Sequence, residues 1–278
     1  MNGLMWVTAP GKPVAKVQAS FREYIRLPVL LYTITMSSTN KIVLVTGANK
    51  GIGFAIAKQL AELNKGYHVL IGSRDAQRGA AAASTLQKAG LSVESITIDV
   101  ADDASIAAAA EEVESKFGRL DVLVNNSGIL LDHDVPPSRA GFEQTFAVNA
   151  FGAAATTDAF IPLLEKSTSG ARIVFVSSDL GSLTYRADPA GRYNFYPAMM
   201  YRSSKAAMNM IALGYAHTYR EKGWKVNVHN PGYTRTDLNG NLGTGSVEDG
   251  ARGAVRLATL GDDGETGTFS EREGPLPW

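Results

Sequence analysis

From Lys41 onward the chain alternates short apolar runs with helix-like stretches, and this rhythm limits what it can fold into more than any single residue does. KIVLVTG reads as a buried strand, Ile52 to Lys65 as a helix, and YHVLIG, starting at Tyr67, as a second strand. Asp75 is placed as the N-cap of an alanine-rich helix ending at Gly90, and SVESITIDV, from Ser92 to Val100, follows as a third strand. Asp102 caps a helix running to Phe117 and Gly118. RLDVLVNN (Arg119 to Asn126), ARIVFVSS (Ala171 to Ser178) and WKVNVHNP (Trp224 to Pro231) supply three more strands, each separated from the next by a helical stretch. Strands that are apolar almost throughout need cover on both faces. The pattern therefore predicts an α/β chain built on one doubly wound parallel sheet flanked by helices.

Composition narrows the function classes. A chain of 278 residues with 45% hydrophobic content can bury a large core. Its formal net charge is zero and it has no basic blocks, which argues against a nucleic-acid partner. With no cysteine there are no disulfides and no thiolate metal sites, and a reducing compartment suits it. His68, His133, His217 and His229 form no metal-ligand spacing, so no metal is expected. Residues 1–40 differ from the rest: Lys12, Lys16, Arg22 and Arg26 stand against the single acid Glu23. Their longest apolar run, LPVLLYTITM, is too short to span a bilayer, and no membrane association is expected. Met36 opens MSSTNKIVLVTG directly before the first strand, so residues 1–40 read as a leader and residues 41–278 as the catalytic domain. The expected location is the cytoplasm, or the mitochondrion if residues 1–35 are a targeting peptide.

In a doubly wound sheet, ligands bind outside the carboxyl ends of the strands, and the candidate chemistry lies there. After the first strand, TGANKGIG places Gly47, Asn49, Lys50, Gly51, Ile52 and Gly53 in a tight turn whose N–H groups can approach a pyrophosphate. Its spacing departs from the GxGxxG fingerprint. After the second strand, where an acid would favour NAD, stand Ser73 and Arg74. A guanidinium suits the 2′-phosphate of NADP(H), with Lys50 as a second cation, although Asp75 keeps NAD from being excluded. YRSSK sets Lys205 four residues after Tyr201, and no other tyrosine in the chain has a lysine at that distance. On a helix the two share a face, and a nearby ammonium is expected to lower the phenol pKa and make it a better proton donor. Ser246 with Asp249 reads as a capping box.

Several of these words, in order, resemble the short-chain dehydrogenase/reductase family: TGANKGIG, Asp99 with Val100, NNSG from Asn125 to Gly128, Asn149, Ser178, YRSSK, and PGYTRT from Pro231 to Thr236. Ser127 stands where the family usually has alanine. TGANKGIG, GSRD, LDVLVNNSGI and the closing EGPLPW look most like its carbonyl reductase branch. The resemblance implies a single Rossmann-type domain with NADP(H) as cofactor. It also implies Tyr201 as general acid, Ser178 as the group that hydrogen-bonds the substrate oxygen, and Asn149 as holder of a water leading towards Lys205. Lys205 and Tyr201 would also meet the nicotinamide ribose. Asp99 and Val100 would face the adenine, and Asn125 the chain near its ribose. Pro231, Gly232, Thr234 and Thr236 would steady the nicotinamide amide and phosphates.

Between Ser178 and Tyr201 the chain carries Tyr185, Tyr193, Phe195 and Tyr196 with Pro189 and Pro197. These aromatics either line an apolar pocket for a hydrophobic carbonyl compound or pack the loop onto its own domain. DLNGNLGTG, after Thr236, reads as a short flexible lid or as a linker. The leading expectation is an NADPH-dependent reductase of a small ketone, aldehyde or quinone, with homo-oligomer formation left open. An NAD-linked alcohol dehydrogenase and a catalytically silent NADP(H)-binding regulator are the alternatives.

Overall fold

The structure, a computed structural model, describes residues 40–63, 66–191 and 196–278. The expected leader falls on residues outside these, apart from Asn40.

The strands are β1 (Lys41–Val45), β2 (Tyr67–Ser73), β3 (Val93–Thr97), β4 (Val122–Asn125), β5 (Arg172–Val176), β6 (Lys225–His229), β7 (Phe269–Glu271) and β8 (Gly274–Pro275). The helices are α1 (Gly51–Glu62), α2 (Ala76–Lys88), α3 (Asp103–Phe117), α4 (Arg139–Phe146), α5 (Gly152–Leu164), α6 (Leu183–Ala187), α7 (Met199–Thr218) and α8 (Val247–Ala258). The sheet order is β3-β2-β1-β4-β5-β6-β7-β8, parallel throughout except for the β7–β8 pair. This is the expected doubly wound arrangement, a Rossmann-type fold.

Strand geometry explains why the apolar runs are continuous. Along β1, Ile42 and Leu44 face one layer, with Phe160, Leu163 and Phe175 in the same cluster. Val43 and Val45 face the other, where Ile56, Leu60, Leu86 and Leu257 pack. Successive side chains point to opposite faces, and both faces here are covered. Each buried leucine or phenylalanine contributes roughly 1.5–3 kcal/mol relative to an exposed one.

Asp75 and Asp102 cap α2 and α3 as expected, accepting from the backbone N–H groups of Arg78 and Ala104 respectively. Ser246 likewise caps α8 by accepting from Asp249 N–H. The helical run 139–164 is long and apolar enough by composition to cross a membrane, but Phe160, Leu163 and Leu164 are buried in the core, as in a helix of a layered domain. Beyond the strands expected from the sequence, the chain adds β7 and β8 at the sheet edge.

The order reverses between β1 and β4: β2 and β3 lie on one side, β5 and β6 on the other. The carboxyl ends of β1 and β4 therefore border the crevice where such sheets take ligands.

Candidate active site

The glycine turn between β1 and α1 lies at this crevice. Gly47 and Gly51 have φ of 63° and 59°, a left-handed conformation that side chains disfavour. Gly53 is held for a different reason. A Cβ there would stand 2.6 Å from the Gly47 carbonyl oxygen and collide with the Asn126 amide. That amide donates to the Thr46 carbonyl at 2.8 Å, while Thr46 Oγ1 accepts the N–H groups of Asn126 and Ser127 at 3.0 and 3.1 Å. The end of β4 thus braces the turn through Asn126, a residue the sequence reading did not single out. Asn125 points elsewhere: its amide donates to Thr157 Oγ1 at 2.9 Å, and its buried Oδ1 has no hydrogen-bond partner among the described residues. Asn49 and Ile52 are half-buried beside these glycines. The N-cap of α1, Lys50, makes no side-chain cap, so the first-turn N–H groups remain available to an anion.

Lys50 is exposed and forms an ion pair with Asp237 at 2.7 Å. Asp237 follows Thr236, whose Cγ2 would lie 3.8 Å from a Cβ on Gly51, so the loop after β6 reaches the glycine turn. That loop is stitched rather than slack. Asn239 donates to the Thr234 carbonyl at 2.9 Å, Thr234 Oγ1 donates to the Pro231 carbonyl at 2.9 Å, and Thr236 and Asn239 form a capping box. Gly232 makes its turn with φ of 71°.

At the end of β2, Ser73 is buried and its hydroxyl donates to the Asp75 carbonyl at 2.8 Å, shaping the turn. Arg74 is exposed, and no ion pair is found for it among the described residues. Asp75 is already engaged: it caps α2 and pairs with Arg78 at 2.9 Å, which holds its carboxyl below the usual range. Asp99 accepts from Ala101 N–H at 3.0 Å, and Val100 is buried beside it.

Tyr201 and Lys205 lie on one face of α7, 7% and 3% exposed. Lys205 Nζ sits 5.7 Å from the centre of the Tyr201 ring and donates to the Val176 carbonyl at 2.9 Å, at the end of β5. Ser178, two residues on, is close enough to act on the Tyr201 phenol, while its hydroxyl accepts the Leu180 N–H at 3.2 Å and donates to Asp179 Oδ1 at 3.4 Å. Gly181 makes this approach possible by letting the chain after β5 lie against the α7 backbone.

Electrostatics at the pair run against the expectation of a lowered phenol. Burial, and then the Asp179 carboxylate, push the Tyr201 phenol above its ordinary value, with the Ser178 hydroxyl pulling the other way. Burial also lowers Lys205 to about 7, because a dry site penalises the charged ammonium. The lysine is thus a weaker lever on the phenol than its proximity implies.

Asn149 is fully buried in a π-helical turn, Ala147–Phe151, between α4 and α5. A π turn re-aims a side chain that a straight helix would point elsewhere. Its Oδ1 accepts from Ile129 N–H at 2.8 Å, and its Nδ2 donates to the Ile129 carbonyl and to Ser204 Oγ at 2.9 and 3.0 Å. Gly128 separates Asn149 from Lys205: a Cβ there would lie 3.5 Å from Asn149 Oδ1 and 3.7 Å from Lys205 Nζ.

Among the loop aromatics, Tyr185 packs against the core, and Tyr196 stacks on His133 with ring centres 5.4 Å apart. Tyr193 and Phe195 lie outside the described residues. No cluster of metal-ligating side chains occurs among the described residues.

These residues fit a nicotinamide dinucleotide: a glycine cradle that a Cβ would fill, a helix start without a side-chain cap, and a buried amide oxygen of Asn125 with no partner among the described residues. Comparison with known proteins identifies the family. A family model described as short chain dehydrogenase matches residues 41–246. The short-chain dehydrogenase/reductase ATR10 of Stachybotrys chlorohalonatus is 40% identical over 269 residues, covering 87% of this chain and 95% of that protein. (+)-Neomenthol dehydrogenase of Arabidopsis thaliana is 35% identical, covering 80% of this chain and 92% of its own length. Among solved structures, NADPH-bound carbonyl reductase from chicken fatty liver superposes with a TM-score of 0.76 at 29% identity, covering 86% of this chain and 99% of that one.

Proposed function

Since the chain belongs to the short-chain dehydrogenase family, we propose that it is an NADPH-dependent reductase of a ketone, aldehyde or quinone, with Tyr201 as proton donor. The observation that carries this reading is the convergence of Ser178, Tyr201 and Lys205 at the end of β5, beside the crevice that the glycine turn lines.

When bound, the nicotinamide supplies the hydride. Ser178 and Tyr201 then present two hydroxyl groups to the carbonyl oxygen, which gains negative charge as the hydride arrives. Tyr201 gives that oxygen its proton. A phenol held above its ordinary range stays loaded at neutral pH. An alkoxide is a far stronger base than a phenolate, so the transfer remains downhill. Lys205, whose Nζ donates to the Val176 carbonyl, would meet the cofactor's ribose beside the phenol.

NADP(H) over NAD(H) is supported at the end of β2. The exposed Arg74 guanidinium can take a 2′-phosphate, whereas the neighbouring acid, Asp75, is committed to its helix cap and Arg78. Tyr196 and His133 form a stacked pair near the start of α7, and Tyr233 acts electrostatically on Tyr196. Aromatic faces close to the proposed proton donor would suit a hydrophobic carbonyl compound.

Consumption of NADPH by the purified protein, with aromatic ketones, aldehydes, diketones and quinones, tests the reading. Turnover with at least one class is expected. NADPH that binds yet is oxidised by none of them contradicts it.

A further inference from the structure

The helix that carries Tyr201 begins without a cap of its own. Its N-cap residue is Ala198, left-handed at φ 35° and ψ 52°, and no side-chain hydrogen bond closes the first turn from that position. A helix start leaves its first N–H groups without backbone acceptors, and those of Met200 and Tyr201 are the two that a capping side chain normally takes. Both are met from far away in the chain. Asp132 accepts the Met200 N–H on Oδ1 at 3.1 Å and the Tyr201 N–H on Oδ2 at 3.0 Å. A carboxylate also suits the positive end of the helix dipole.

Tyr201 is held at its carbonyl too. Ser204 Oγ donates to it at 2.7 Å and accepts from Asn149 Nδ2 at 3.0 Å. Asn149 in turn grips both the N–H and the C=O of Ile129, on the segment that leads to Asp132. Next to Asp132, the His133 ring stacks on Tyr196, on the approach to α7. The segment from Ile129 to His133 is therefore joined to the start of α7 at three separate points, with the Tyr201 backbone in the middle.

We propose that Asp132 is a positioning residue: its carboxylate fixes the first turn of α7, and so the place from which Tyr201 meets Ser178 and the substrate oxygen. The inference rests on the reductase reading for the reaction it serves. Asp132 acts through the Tyr201 backbone and need not touch the reacting atoms. Its removal leaves two N–H groups without acceptors at a turn that Ala198 cannot cap. Asparagine in its place keeps one acceptor oxygen and turns a donor towards the other N–H.

The test compares the full chain with Asp132→Ala and Asp132→Asn for kcat, KM, NADPH affinity, melting temperature and the solvent deuterium isotope effect. Amide hydrogen exchange across Met199 to Ser204 is followed in parallel. Asp132→Ala should lower kcat about ten- to a hundred-fold, the scale of a misplacement near 1 Å, with NADPH affinity unchanged and Asp132→Asn in between. Its solvent isotope effect should rise, because proton delivery has become the slow step. Wild-type kcat and isotope effect in Asp132→Ala would overturn the proposal, as would a kcat loss matched by equal losses in NADPH binding and melting temperature. Exchange is read without turnover. If the wild type reduces no carbonyl compound, the reductase reading fails on its own. The clamp then stands if the Met200 and Tyr201 amides lose protection in Asp132→Ala, and falls if their protection is unchanged.

Discussion

Gly181 lies against the backbone of Lys205: a Cβ on that glycine would stand 2.9 Å from the Lys205 carbonyl carbon and from its Cβ. The spacing between Ser178 and Gly181 thus has a packing cause, since only glycine lets the chain after β5 close on α7. Gly181→Ala should cost roughly 1–3 kcal/mol of stability, as overpacking does. It should also lower kcat more than it weakens NADPH binding, because Ser178 and Tyr201 move apart. Denaturant unfolding and steady-state kinetics check this, and an alanine variant with native stability and rate would contradict the packing argument.

Arg74 is expected to set the cofactor preference. A guanidinium bonded to a phosphate is worth roughly 1.5–3 kcal/mol, so Arg74→Ala should weaken NADPH about ten- to a hundred-fold. NADH should be little changed. Titration of both cofactors against the variant measures this, and an undiminished NADPH preference would remove Arg74 from the site.

Asp179 should set the alkaline limit of activity. Burial and the Asp179 carboxylate both raise the Tyr201 phenol. Reduction, which needs the protonated phenol, should therefore hold its rate from neutral pH to beyond the ordinary tyrosine range near 10. Asp179→Asn removes the larger of the two charge contributions that push the phenol up, after burial, so the alkaline fall should come at lower pH. A pH–rate profile of both proteins decides it, and an unmoved limb would mean that this carboxylate does not act on the phenol.

His229 should make the fold sensitive to acid. Burial lowers its pKa from 6.5 to about 4, while Nε2 bonds the Gly250 carbonyl at 2.8 Å. The unfolded chain then takes up a proton before the folded one does, so the contribution is complete above pH 6.5 and is lost as pH falls towards 4. This one group adds a slope of up to about 1.4 kcal/mol per pH unit within that window. Urea unfolding at several pH values, compared with His229→Gln, should show a shallower acid loss in the variant. Parallel curves would place the acid sensitivity elsewhere.

The centre of the sheet was legible because β1, β4 and β5 are apolar almost throughout, on both faces, which few other arrangements accommodate. β7 and β8 are too short, at three and two residues, to show a period. Tyr201 and Lys205 stood out through helical spacing, and Arg74 through its place after β2. Asn149 showed no geometric signal, because AVNAF reads as ordinary helix and nothing local announces a π turn. Asp132 was hidden for another reason: the first N–H it caps, that of Met200, lies 68 residues later, and the only local hint is an alanine in the cap position. The sign of the phenol shift was missed because spacing reports proximity, whereas desolvation depends on how completely the surrounding layers close.

The account depends most directly on the Tyr201 hydroxyl as the proton source for carbonyl reduction. The measurement is NADPH-dependent turnover of wild type and Tyr201→Phe, with NADPH binding followed in the same samples. The account predicts a loss of about a hundred-fold or more in kcat, the scale of a positioned acid, with binding nearly intact. A phenylalanine variant that binds NADPH and turns over at the wild-type rate would contradict it.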